Sequence, residues 1–127
     1  MMARVIVIST QKNGIYDSVY ETEINELEDF YNHIGCSCID VARRKIADRW
    51  FDMWVDDEGL LKDDQIVTAC DINGHPMLVG GLIIANHDRA GNTTSLSDDD
   101  IELIKDNIFI YTDRNNVKRP VVLCNYN

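Results

Sequence analysis

The chain has 127 residues, room for one hydrophobic core, and its 45% hydrophobic and 27% charged composition is that of an ordered globular domain. Its 12 Lys and Arg against 22 Asp and Glu leave a net charge of −10, which repels nucleic-acid phosphates and anionic membranes. No apolar run approaches the ~18 residues of a membrane helix, and Met1 to Thr10 lacks the charged start, apolar stretch and cleavage site of a signal peptide, so a cytoplasmic location is expected, with no direct nucleic-acid or membrane partner.

Arg4-Val5-Ile6-Val7-Ile8-Ser9 is a β-branched run and reads as a first strand. Lys12-Asn13-Gly14 is a turn signal, and residues 15–20 are expected to return as a second strand. Ile24, Leu27, Tyr31 and Ile34 then fall on one helical face, with Phe30 beside them. Thr22 is the expected N-cap of that helix and Gly35 the residue that ends it. From Ser37 the period returns to two: Ile39 and Val41 alternate with Cys38 and Asp40. Residues 43–48 read as a basic connector, residues 50–55 as a strand and Asp57-Glu58-Gly59 as its turn. Residues 65–70 are a further extended segment, and Asp71 to Pro76 is dense in turn formers. Residues 77–85 form an apolar strand in which Gly80-Gly81 points to a bulge or a close backbone approach. After a polar loop, Ser97 is placed to cap a short helix with Asp98, Asp99 and Asp100 in its first turn and Ile101, Ile104 and Ile108 on one face. Residues 109–112 and 121–124, flanking Arg114-Asn115-Asn116, read as a closing hairpin. The expected fold class is α+β: a mostly antiparallel, curved sheet with two helices, residues 1–127 forming a single domain.

Several segments have a familiar order. Cys38-Ile39-Asp40-Val41, Val55-Asp56-Asp57-Glu58-Gly59-Leu60, Leu78-Val79-Gly80-Gly81-Leu82-Ile83 and above all Ser95-Leu96-Ser97-Asp98-Asp99-Asp100-Ile101 follow one another as in a family of domains of unknown function. The chain resembles that family, known from phages, plasmids and conjugative elements of Gram-positive and gut bacteria, over residues 24–108. It departs from the pattern at Cys36-Ser37-Cys38, where two glycines and an aromatic are usual, and at Asp64, near the usual Asn; the closing hairpin has no counterpart. The resemblance implies an accessory protein of a mobile element. It brings no catalytic residues with it.

The cysteines, Cys36, Cys38, Cys70 and Cys124, are too sparse for a disulfide scaffold, and they and the histidines (His33, His75, His87) lack paired zinc spacing. Reduced, packing thiols and no metal are therefore expected. Asp56-Asp57-Glu58-Gly59 lacks the full spacing of a calcium loop. No G-x-S-x-G elbow, H-E-x-x-H helix or glycine-rich phosphate loop occurs, so a non-enzymatic protein without cofactor is expected. Acids gather in three runs, residues 21–29, 52–64 and 98–106. They read either as a solvated surface or as a negative face for a basic partner, with Glu26, Asp29, Asp56, Asp57 and Glu58 as its contacts. The strand carrying Trp50, Asp52 and Trp54 alternates with Phe51, Met53 and Val55, so both of its faces are apolar-rich. Either both are covered, or Trp50 and Trp54 stack on a partner or a planar ligand. Arg43, Arg44, Lys45 and Arg49 precede them and suit a phosphate.

Two functions follow as expectations. One is a mobile-element accessory protein that engages a host protein through an acidic surface, by occlusion or DNA mimicry. The other is a binder of a small nucleotide-like ligand through Trp50, Trp54 and residues 43–49. The sequence leaves the oligomeric state open.

Overall fold

The computed structural model describes residues 2–11, 14–61 and 65–127, with the side chains of Ile15, Tyr16 and Leu60 outside the description. The fold is α+β and mostly antiparallel, but it holds two sheets where the sequence predicts one. The larger sheet has the order β2-β1-β7-β4-β3, where β1 is Ala3–Ile8, β2 Val19–Ile24, β3 Ile39–Ile46, β4 Arg49–Asp56 and β7 Leu82–His87. A two-residue strand, β8 (Thr93–Thr94), adds to β7. The smaller sheet has the order β6-β5-β10-β9, from β5 (Val67–Cys70), β6 (Pro76–Val79), β9 (Ile108–Thr112) and β10 (Lys118–Leu123). Its β5–β10 pair is parallel, with Val122 opposite Ala69.

The two sheets and α3 (Asp98–Asp106) enclose the main core, in which Ile6, Phe51, Met53, Leu82, Ile84, Ile104 and Val122 are buried. On the far side of the larger sheet α2 (Leu27–Ile34) lays Phe30 and Ile34 against Val5, Val7, Ile83 and Ala85. The central strands are thus covered on both faces, which is why β1 and β7 read as unbroken apolar runs. Each such side chain withdrawn from water contributes about 1.5–3 kcal/mol before chain entropy is subtracted.

Several boundaries differ from those read in the sequence. Lys12 and Asn13 of the predicted first turn lie outside the described residues. Ile15–Ser18 forms a single helical turn, α1, rather than strand, and the Ser18 hydroxyl donates to the Gly14 carbonyl at 2.6 Å. Val19–Ile24 then pairs along its whole length with Ala3–Ile8, so Thr22 lies in a strand and is no cap. Ile24 satisfies both a period of two and a period of 3.6, and six paired residues outweigh one more helical turn. Glu26 is the actual N-cap of α2, in a capping box with Asp29. The later start turns Leu27 outward, 56% exposed, and leaves Phe30 and Ile34 as the packed face. Gly35 does close the helix.

Residues 43–46 are not a connector. They continue β3, which turns through Ala47 and Asp48 directly into β4. The predicted strand at 77–85 breaks at Gly80, which has φ +80°, so β6 and β7 enter different sheets. The close approach expected at Gly81 is present: a Cβ there would meet the Ile34 carbonyl oxygen at 3.0 Å. Ile108 belongs to β9, not to α3.

Candidate functional site

Register fixes what the β3–β4 hairpin presents. Across its strands Val41 faces Trp54, Arg43 faces Asp52, and Lys45 faces Trp50. All six side chains lie on the α2 side of the sheet, because residues directly opposite share a face. β7 pairs with β4 through Asp52–Ala85, which brings His87, two residues on, to the same face. α2 covers only part of this face. Its Phe30 ring meets Trp54 at 5.0 Å between centroids, tilted 56°, and the Trp54 indole nitrogen is buried without a hydrogen-bond partner among the described residues. Trp50 lies beyond that cover and is 42% exposed.

The uncovered end holds a connected polar group. Asp52 is 5% exposed. One of its carboxylate oxygens lies 2.7 Å from His87 Nδ1, the other 3.9 Å from Arg43 Nη1. Arg43 Nη1 is also 3.0 Å from His87 Nε2, and its guanidinium carbon is 6.0 Å from the Trp50 ring. Of the expected ligand-binding residues, Trp50, Asp52, Arg43 and Lys45 are thus brought to one face, and Arg44, Arg49 and Trp54 do not join them at its open end. Trp54 is a packing residue. Arg44, one position along the strand, points through the other face and stacks on Tyr126 at 4.4 Å. Arg49 pairs with Asp100 of α3 at 3.0 Å. A basic stretch in a strand is divided between two faces, and only Arg43 and Lys45 share the tryptophan side. His87, absent from the expected set, is the missing member; its one sequence signal is its place at the end of an apolar strand, which cannot say that Asp52 lies alongside.

The acids divide in a different way. Asp29 accepts the backbone N–H groups of Asn25 and Glu26 at 2.8 and 3.0 Å, which hold its carboxyl below the usual range, so Glu26 and Asp29 serve the cap of α2. Asp56 accepts the Glu58 N–H at 2.9 Å in the turn after β4, leaving Asp57 and Glu58 exposed. Asp63 and Asp64, in the same run, lie outside the described residues. The other two runs meet. Arg4 bridges Glu21 of β2, at 3.0 Å, and Asp98 of α3, at 2.6 Å, while Lys105 reaches Glu21 at 3.7 Å. Around these bridges Glu23, Asp99, Glu102 and Asp106 are exposed. Asp100 is turned inward. Burial pushes its carboxyl up, but the Ser97 N–H and hydroxyl with Arg49 and Asn86 outweigh that and hold it below the usual range.

The four cysteines are free thiols, and burial pushes the Cys124 thiol up to about 11. Among the described residues no group of three or more His, Cys, Asp or Glu is placed to hold a metal ion, and no helix is long and apolar enough to cross a membrane. A depression of about 720 Å³ lies in the smaller sheet between Val67 and Tyr111, where Arg119 is already paired with Asp113 at 2.9 Å.

A family model for a domain of unknown function, DUF3846, matches residues 3–108. No curated protein and no solved structure matches the chain.

Proposed function

The chain belongs to the DUF3846 family of domains of unknown function, and from that premise we propose that it is a non-enzymatic accessory protein of a phage or plasmid that captures a basic host protein on the acidic surface of α3 and β2. The supporting observation is the meeting of two acid runs about 75 residues apart in sequence, with Glu21 and Asp98 held on one arginine. Asp98, Glu102 and Asp106 recur at four-residue spacing along α3, so their carboxylates line one stripe of the helix, with Asp99 beside them. A stripe of like charge repels itself, and a cationic partner relieves that repulsion. The partner class is a protein whose own ligand is a phosphate backbone, and the mechanism is occlusion of that groove. A cytoplasmic site of action goes with this reading.

The test is capture from host lysate on the immobilised protein at low and high salt. Exposed charges are screened beyond about 10 Å at 0.1 M salt, so retention should fall steeply as salt rises. The double variant Glu102→Lys, Asp106→Lys should lose the partner while unfolding within about 0.5 kcal/mol of wild type, since both residues are exposed and lie outside the first turn of α3. Duplex DNA should compete the partner away. Retention that ignores salt and survives the double reversal would contradict the proposal.

A further inference from the structure

A carboxylate as buried as Asp52 is destabilising unless charges and donors answer it. Here they come from two neighbouring strands, His87 of β7 at 2.7 Å and Arg43 of β3 at 3.9 Å. His87 Nδ1 lies 2.7 Å from Asp52, and Arg43 Nη1 lies 3.3 Å from His87 Nδ1 and 3.0 Å from its Nε2, so the imidazole is held between the carboxylate and the guanidinium. An apolar pair would hold three strands together at least as well as this network. What the network adds is position. It sets a guanidinium over one face of an exposed indole, 6.0 Å from the ring centroid, with Lys45 directly across from that indole on the neighbouring strand.

The chemistry of the corner is cationic and planar on a chain whose net charge is −10. Arg43 and Lys45 share this face with Asp52, whose carboxylate is buried; the exposed Asp48 lies in the hairpin turn beyond Lys45, and Asp88, next to His87, is engaged by the N–H groups of Ala90 and Asn92 in its own turn. A polyanionic strand is repelled by the whole molecule, whereas a single phosphate meets only this corner. We propose that Arg43, Lys45, Trp50 and His87, with Asp52 as the positioning carboxylate, form a binding site for a nucleoside monophosphate. The base stacks on the open face of Trp50. The phosphate draws Arg43 into a paired contact and Lys45 into a point-charge contact. The ring of His87, held on its Nδ1 side by Asp52, adds a third polar contact for the phosphate. No covalent bond is made or broken. The site is independent of the acidic surface of α3 and β2.

The test is isothermal calorimetry of the wild-type protein with four nucleoside monophosphates, with adenosine and inorganic phosphate as part-ligands, and with a short single-stranded oligonucleotide. At least one monophosphate should bind, and adenosine and inorganic phosphate should each bind about tenfold more weakly or worse, since each makes half the contacts. Trp50→Ala should weaken binding about tenfold or more with an unchanged melting temperature; Arg43→Gln should weaken it as much while lowering the melting temperature, because it strips a charge from buried Asp52, and Arg43→Lys should not restore the binding. A nuclear magnetic resonance titration of the unaltered protein removes any dependence on variant folding: the indole N–H of Trp50 should shift and that of Trp54 should not. The proposal is overturned if no monophosphate binds, if Trp50→Ala binds as well as wild type, or if the oligonucleotide binds more tightly than every mononucleotide.

Discussion

Trp50 and Trp54 sit on the same strand and the same face, with only Asp52 between them on that face, yet Trp54 is packed, partly buried, against α2 and Trp50 is a surface residue. The strand does not make the difference. The eight-residue helix α2 does, because Phe30 reaches Trp54 while Trp50 lies outside the apolar cluster that the helix packs on. Where the cover stops, the sheet exchanges apolar packing for the Asp52–His87–Arg43 network. A half-covered face therefore divides labour along a single strand: one end stabilises the fold, and the other end is free to recognise something.

The strongest way to break that comparison is Trp54→Ala. It should destabilise the protein by about 3 kcal/mol, in the range of large aromatic deletions from cores, as read from the midpoint of a urea unfolding curve. If Trp54→Ala and Trp50→Ala unfold at the same denaturant concentration, the division does not exist. Gly81→Ala attacks the cover itself. The added methyl would press on the Ile34 backbone at the end of α2, and a loss of about 2 kcal/mol is expected from forced overpacking. A neutral Gly81→Ala would mean that α2 can shift without loss, and then the limit of its cover is not fixed.

How much of this could be read from the residues depended on whether the signal was local. Ser97 and Asp98–Asp100 define a helix start within four residues, and the capping box is present as written, with the Ser97 hydroxyl accepting from the Asp100 N–H at 3.0 Å. The α+β class followed from similar local patterns. The division of 77–85 into two strands did not, because a glycine at positive φ and a glycine under a helix look alike in sequence. Nor did the start of α2, because Ile24 fits both periods and only its pairing with Ala3 decides. At the site, the alternation that groups Trp50, Asp52 and Trp54 was legible. The same alternation separates Arg43 from Arg44, and it has that force only once residues 43–46 are known to be strand. His87 lies 35 residues from Asp52, and no local pattern links them.

Ser97→Ala provides a scale for these effects, since it removes one cap from α3, on the side of the larger sheet away from both tryptophans, and should cost about 1 kcal/mol. Its neighbour Asp100 adds a pH signature. With its folded carboxyl held below the ordinary range, the stability it contributes is present above the unfolded carboxylate pKa of about 4 and is lost as pH falls through the folded value. Asp100→Asn should therefore unfold more easily than wild type near neutrality, and the two curves should converge in acid. Parallel curves at all pH values would show that the carboxylate is not engaged. The smallest expected effect is that of Trp50→Ala, less than about 0.5 kcal/mol, as for an ordinary surface position.

The comparison is tested most directly by single-tryptophan fluorescence with a neutral quencher. Trp54→Phe leaves Trp50 as the reporter, and Trp50→Phe leaves Trp54. The account predicts that Trp50 emits at long wavelength and is quenched readily in the folded protein, while Trp54 emits at short wavelength and is protected until the protein unfolds. Equal protection of both indoles would contradict it, because α2 would then cover the whole face and leave no open end for recognition.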